Sequence, residues 1–173
     1  MNGKLPAFTL RTLINNYGYY LKAKLGMDEN DIEKEYQDFC SKQPDSSVRD
    51  YMWSLFNRSI LRGGGMETYR SMGMFVARFE GKNGNRYHKI ALEAQFKGLM
   101  EVSLRENIKS GISIIGNENC ELAMKHNGTH DFNDFSDGLP LASHECSLLN
   151  CTCDIGIVPL RDINGRLIWL TKD

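Results

Sequence analysis

Long apolar runs are missing from this 173-residue chain. Nowhere do about 18 apolar residues follow one another, so no membrane partner is expected. The stretch 1–10 has no apolar region ahead of a small-residue cleavage site, and the expected compartment is the cytoplasm. Charge of one sign is also missing. The chain carries 21 Lys and Arg against 22 Asp and Glu, and 41% of its residues are hydrophobic. That balance excludes a disordered polyelectrolyte and a strongly cationic chain. Gly63-Gly64-Gly65 has no lysine and no strand-to-helix context, so it reads as a linker and not as a phosphate-binding loop. No Gly-x-Ser-x-Gly nucleophile motif, internal repeat or low-complexity tract occurs.

What is present is uneven. Residues 111–173 carry 9 acidic and 4 basic groups, whereas residues 66–110 carry 8 basic and 5 acidic. Of the five cysteines, Cys120, Cys146, Cys151 and Cys153 fall in the acidic last third, and Cys40 stands alone in the first.

Hydrophobic spacing divides the chain into three regions. Residues 1–65 read as three helices. Leu10, Leu13, Ile14, Tyr17, Leu21 and Leu25 recur every three or four positions, and Gly26 is placed to end that run. Asp28 caps a second helix with Ile32, Tyr36, Phe39 and Cys40 on one face. After Pro44, Asp45 or Ser46 caps a third, with Val48, Met52, Leu55, Phe56 and Ile60 pointing inward. Tyr17, Tyr20, Tyr51 and Phe56 are expected in the core of this part, with Tyr19 and Trp53 off its inward faces. Residues 66–110 read as a β-hairpin followed by a helix. Phe75, Ala77 and Phe79 alternate with their neighbours, 87–92 is the expected partner strand, and Asn83-Gly84 supplies the turn. The helix is expected over 94–109, with Gly111 closing it in the left-handed conformation. Residues 111–173 hold short strands at 112–115 and 155–160, and Asn164-Gly165 marks a terminal hairpin. The fold class expected is α+β.

The cysteine spacing carries the strongest chemistry. A tetrahedral metal ion takes about four soft or borderline ligands, and thiolates close in sequence supply part of that shell at little loop-closure cost. Cys151 and Cys153 are too close in sequence for an easy disulfide, and a reducing compartment disfavours disulfides generally. The segment between Cys120 and Cys146 has few large apolar residues beyond Phe132 and Phe135, so a metal at its base would contribute much to its fold. The expectation is structural zinc bound by four of Cys120, Cys146, Cys151, Cys153 and His144. Inert thiols packed as small hydrophobes are the competing reading. His144-Glu145-Cys146 differs from the zinc deaminase signature, which needs a residue between histidine and glutamate and a separate Cys-x-x-Cys.

The arrangement of Cys120, Gly128, Leu139-Pro140, His144, Cys146 and Cys151-Thr152-Cys153, preceded by the strand at 112–115 and followed by 158–162, resembles the C-terminal segment of the Mu F-like minor head proteins, the phage head morphogenesis family. It departs from that pattern at Ala123, where the second cysteine of the first pair would stand, and in the spread of its last three cysteines. The resemblance implies a phage or prophage origin, a structural zinc knuckle and a non-enzymatic role in head assembly. A protein partner and a virion-associated location follow from it.

Two alternatives remain open on the sequence. Arg70, Arg78, Lys82, Arg86 and Lys89, interleaved with aromatic residues, could set a basic hairpin against a phosphate backbone, as in a DNA-binding accessory protein. A zinc-dependent hydrolytic enzyme would instead draw on His126, His130 and Glu145.

Overall fold

The structure, a computed structural model, describes residues 5–142, 146 and 148–170. Its α+β fold joins a helical first half to a three-stranded antiparallel sheet.

Helices α1 (Leu10–Leu25), α2 (Glu29–Lys42) and α3 (Val48–Leu61) form where the spacing predicts them. Their ends are set by local chemistry. Gly26 takes the left-handed conformation at φ 72°, and Asp28 closes a capping box with Asp31. The cap of α3 is Ser47 and not Asp45 or Ser46 as expected, because Ser47 has Asp50 three residues on to complete a capping box. Leu13, Tyr17, Leu21, Ile32, Met52, Leu55 and Phe56 are buried between these helices. Tyr19 lies almost fully exposed, while Trp53 packs on Phe56, Phe75 and Tyr87 and donates its indole N–H to Glu80.

The middle region differs from the sequence expectation. No β-hairpin forms there. Helix α4 (Gly65–Phe75) runs on as a π-helical turn, Val76–Glu80, and α5 covers Asn85–Ser103. Gly63-Gly64-Gly65, read as a linker, is a tight helix-to-helix turn in which the Gly64 N–H donates to Ser59 O at 2.7 Å. Met72, Phe75, Val76 and Phe79 sit at i, i+3, i+4 and i+7, which is one helical face, and all four are buried in the first core. Of the expected alternating set, Phe75 and Phe79 belong to that face, whereas Ala77 does not and is only half-buried. Phe8 supplies the tertiary contact that selects the helical reading, with its ring 5.0 Å from Phe75 and 4.5 Å from Phe79.

The turn between α4 and α5 brings two backbones into contact. A Cβ on Gly84 would stand 2.2 Å from the Gly73 carbonyl oxygen, so only glycine admits this approach. Helix α5 begins nine residues earlier than predicted and ends at Ser103. Gly111, expected as its left-handed cap, lies instead inside β1 (Ser110–Ile115), where a Cβ would meet His130 O at 2.4 Å.

Strand β1 is central, flanked by β2 (Gly128–His130) and β3 (Asp154–Pro159). Ile112 pairs with His130 on one side and with Ile157 on the other. A short helix α6 (Glu121–Lys125) and a 3-10 turn, Phe132–Phe135, complete the connection between β1 and the cysteine strap. Beyond β3 the chain reverses at Gly165 (φ 78°), and Arg161 bridges Leu167 as the Asn164-Gly165 pair predicted. A second core gathers Leu92, Ile112, Ile114, Phe135, Leu141, Ile155 and the four clustered cysteines. Among the described residues no helix is long and apolar enough to cross a membrane.

Candidate metal centre

Three backbone segments deliver the four thiols. Cys120 follows the turn out of β1, where its N–H donates to Asn117 O at 2.9 Å and its carbonyl accepts from Met124 N at 3.0 Å in the first turn of α6. Cys146 comes from the chain beyond Leu141-Ala142, and Cys151 and Cys153 lie on an irregular strap that runs into β3. Asn117 donates its side-chain N–H to the Thr152 hydroxyl, which ties the Cys120 turn to the strap.

The sulfurs meet in sequence. Cys120 Sγ lies 3.3 Å from Cys146 Sγ, Cys146 also contacts the Cys151 thiol, and Cys151 contacts the Cys153 thiol. All four are buried, none more than 5% exposed. Cys40, half-buried in α2, is not part of the second core. Two thiols also receive backbone donors: the Leu148 N–H points to Cys146 and the Cys153 N–H to Cys151. An N–H aimed at sulfur favours the thiolate. Burial acts in the opposite direction and is the larger influence, raising Cys151 and Cys146 above the usual thiol range. With protons on, the sulfurs form a chain of contacts and not a closed shell. Among the described residues no group of three or more His, Cys, Asp or Glu is already arranged to hold an ion.

His144 and Glu145 lie outside the described residues. His126 and His130 do not join the thiols. The His130 ring nitrogen bonds His126 O at 2.8 Å, and both rings pack edge-on against Phe135.

Sequence reasoning missed the groups that hold the strap. Asn85, His88, Leu92 and Gln95 share one face of α5. Asn85, 1% exposed, donates to Leu148 O at 2.8 Å and accepts from Cys151 N at 2.7 Å. His88 Nε2 lies 2.8 Å from Cys153 O, and because a carbonyl only accepts, that nitrogen carries the proton. Burial pulls His88 below the usual imidazole range, so it is neutral. Gln95 donates to Ile155 O at 2.6 Å, and its own carbonyl accepts from Arg70. The signal for this face was present as polar residues at helical spacing. It was hidden by assigning 87–92 to a strand.

The basic residues are spread over α4, the π turn, the connection after it and α5, and most are paired. Arg70 bridges Asp154 at 2.6 Å, Lys82 lies 3.4 Å from Glu80, and Lys89 lies 4.0 Å from Glu93. Arg78 donates to Asn16 and lies over the Phe79 ring, and Arg86 lies over the Tyr87 ring. The hairpin that was to present them together does not exist. A cavity of about 190 Å³ opens beside the strap, lined by Arg70, Met74, His88, Cys151, Cys153 and Asp154 among others.

Comparison with protein-family models, curated proteins and solved structures finds no match for this chain.

Proposed function

We propose that Cys120, Cys146, Cys151 and Cys153 bind one structural zinc ion, and that the chain is a non-enzymatic assembly or interaction protein of the phage or prophage kind its cysteine segment resembles. The observation that carries this reading is the convergence of four thiols, 33 residues apart at the extremes, into one run of sulfur contacts inside the second core. At a Zn–S distance of about 2.3 Å, ligand sulfurs in a tetrahedron lie roughly 3.8 Å apart. The 3.3 Å contact between Cys120 and Cys146 is therefore close to the spacing an ion requires. Ion binding would draw the sulfurs from this chain of contacts into a shell, and a cavity lined in part by Cys151 and Cys153 adjoins them. Four sulfurs fill a tetrahedral shell and leave no open position for substrate, which favours a structural role over a hydrolytic one.

The test is metal content and cobalt substitution. Purified protein is expected to hold one equivalent of zinc. Cobalt(II) in its place should give the intense sulfur-to-metal absorption of a tetrathiolate, and serine at both Cys151 and Cys153 should abolish uptake. Folded parent protein that takes up neither ion overturns the reading.

A further inference from the structure

We infer that the polar face of α5 is a positioning shell for the metal centre, in which Asn85, His88 and Gln95 hold the strap in ligand-presenting shape before any ion arrives. This rests on the tetrathiolate reading above and adds residues outside the ligand set that the site requires.

The argument begins from backbone hydrogen bonding. Residues 148–153 form no helix or strand, yet Cys151 and Cys153 are only 1% exposed. A buried irregular segment must find partners for its N–H and C=O groups outside a regular ladder. Here one helix supplies them. The Leu149 carbonyl accepts from Gly84 N at 2.7 Å, just ahead of α5, and Asn85 takes both the Leu148 carbonyl and the Cys151 N–H. His88 takes the Cys153 carbonyl and Gln95 the Ile155 carbonyl. The strap's bonded backbone groups fall at 148, 149, 151, 153 and 155, and the α5 side chains that meet all of these but 149, Asn85, His88 and Gln95, lie on one face of the helix. The helix therefore reads the strap's backbone and leaves its side chains free.

That division suits a metal site. The bonds from Asn85 and His88 fall on the backbone of Cys151 and Cys153 themselves, and so fix where each Cα directs its thiol. Each bond has a defined sense. Asn85 donates with its amide nitrogen and accepts with its oxygen, so its orientation is set by two unlike partners. His88 lies with Nε2 2.8 Å from the Cys153 carbonyl, which can only accept, so its ring N–H orients that carbonyl directly. Arg70 extends the network by donating to both Gln95 and Asp154, which anchors the strap's exit into β3 from α4. Groups that orient ligands in this way typically account for 10–100-fold in metal affinity.

The experiment is a competition titration of cobalt(II) against a chromogenic chelator on the full chain. The parent is compared with Asn85→Ala, His88→Ala, His88→Gln and the exposed-site control Lys97→Ala. Asn85→Ala and His88→Ala are expected to bind cobalt 10–100-fold more weakly while keeping the parent's tetrathiolate spectrum, because the four sulfurs are untouched. His88→Gln should recover much of the loss, since its amide N–H can reach the Cys153 carbonyl. Lys97→Ala should match the parent. In metal-free protein the amides of residues 148–155 should exchange faster in the two alanine variants, with α1–α3 unchanged. If Asn85→Ala does not fold, the His88 pair decides the matter. Parent protein that binds cobalt, with variants that bind equally well, overturns this inference alone. Parent protein that takes up no cobalt overturns the tetrathiolate reading and this inference with it.

Discussion

Replacing either of two glycines by alanine should move stability in opposite directions, which tests the helical packing that displaced the expected hairpin. At Gly84 the backbone is ordinary, φ −93° and ψ −2°, so alanine meets no conformational penalty there. The obstacle is steric. The new Cβ would stand 2.2 Å from Gly73 O, 2.8 Å from Gly73 C and 3.0 Å from Gly73 Cα. These are backbone atoms of a packed helix and cannot swing aside, so α4 and α5 must separate by roughly 1 Å to restore ordinary contact. Overpacking of this kind costs about 1–3 kcal/mol, and the shift also loosens the 2.7 Å bond from Gly84 N to Leu149 O. The expected loss is about 2–4 kcal/mol once a hydrogen bond of about 1 kcal/mol is included. At Gly98, in the exposed interior of α5, nothing lies within 4 Å of the added Cβ. There alanine should stabilise by about 0.5–1 kcal/mol, through lower entropy of the unfolded chain. Urea titrations followed by far-ultraviolet circular dichroism read both changes. With a slope of about 2 kcal/mol/M, Gly84→Ala should lower the midpoint by about 1–2 M and Gly98→Ala should raise it by about 0.3–0.5 M. A hairpin in place of α4–α5 would put Gly84 in a turn, with no backbone contact to Gly73. Gly84→Ala at the parent's midpoint would therefore refute the packing described here.

Two further substitutions test local chemistry. Ser47 Oγ accepts from Asp50 N at 3.3 Å, and Asp50 accepts in return from Ser47 N at 2.8 Å, so Ser47→Ala should cost about 1 kcal/mol in the same urea assay. A midpoint equal to the parent's would show that the cap does not contribute. Asp131 is held below the usual carboxylate range first by Lys109, 2.8 Å away, and then by the Asn133 N–H. A carboxylate with a depressed folded-state pKa contributes stability above its unfolded value of about 3.9 and loses it as pH falls through the folded value. Asp131→Asn should therefore cost no more than about 1 kcal/mol at pH 7, given the exposure of the pair, and that gap should narrow toward pH 3. An equal gap at both pH values would contradict the assignment.

The first three helices were legible because their signals are local. Leu13, Tyr17 and Leu21 recur on one face, and Gly26 and Asp28 act within a turn of their own helix, while the α3 cap was expected one or two residues before its place at Ser47. The region from Phe75 to Leu92 was not legible in the same way. Seven residues from Met74 to Glu80 satisfy a strand pattern and a helix pattern at once, and the arbiter is Phe8, nearly seventy positions away, closing on Phe75 and Phe79. Asn83-Gly84 was read as a hairpin turn, but it lies in the connection between two helices. Here Gly84 is needed for its lack of a Cβ and not for a positive φ. The convergence of Cys151 and Cys153 with Cys120 and Cys146 was expected from spacing. The support for the strap was not, because Asn85, His88 and Gln95 become one face only once α5 is known to start at Asn85.

Helix α5 connects two cores of different composition, and that difference bears on the proposed metal site. Its N-terminal end packs on α4, whose core is dense in Phe56, Phe75, Phe79 and Tyr17 with ring-to-ring contacts throughout. Farther along, Leu92 enters a core in which four of the buried residues are cysteines, each contributing less apolar area than a leucine or phenylalanine would. The first core is built from large aliphatic and aromatic side chains. The second has exchanged part of such apolar area for sulfur. An ion bound by those four sulfurs would replace the missing burial with coordination, at the place where the chain has no regular hydrogen-bonded structure of its own. With the proposed ion in place, the polar face of α5 would satisfy the strap's backbone and the ion would join its side chains.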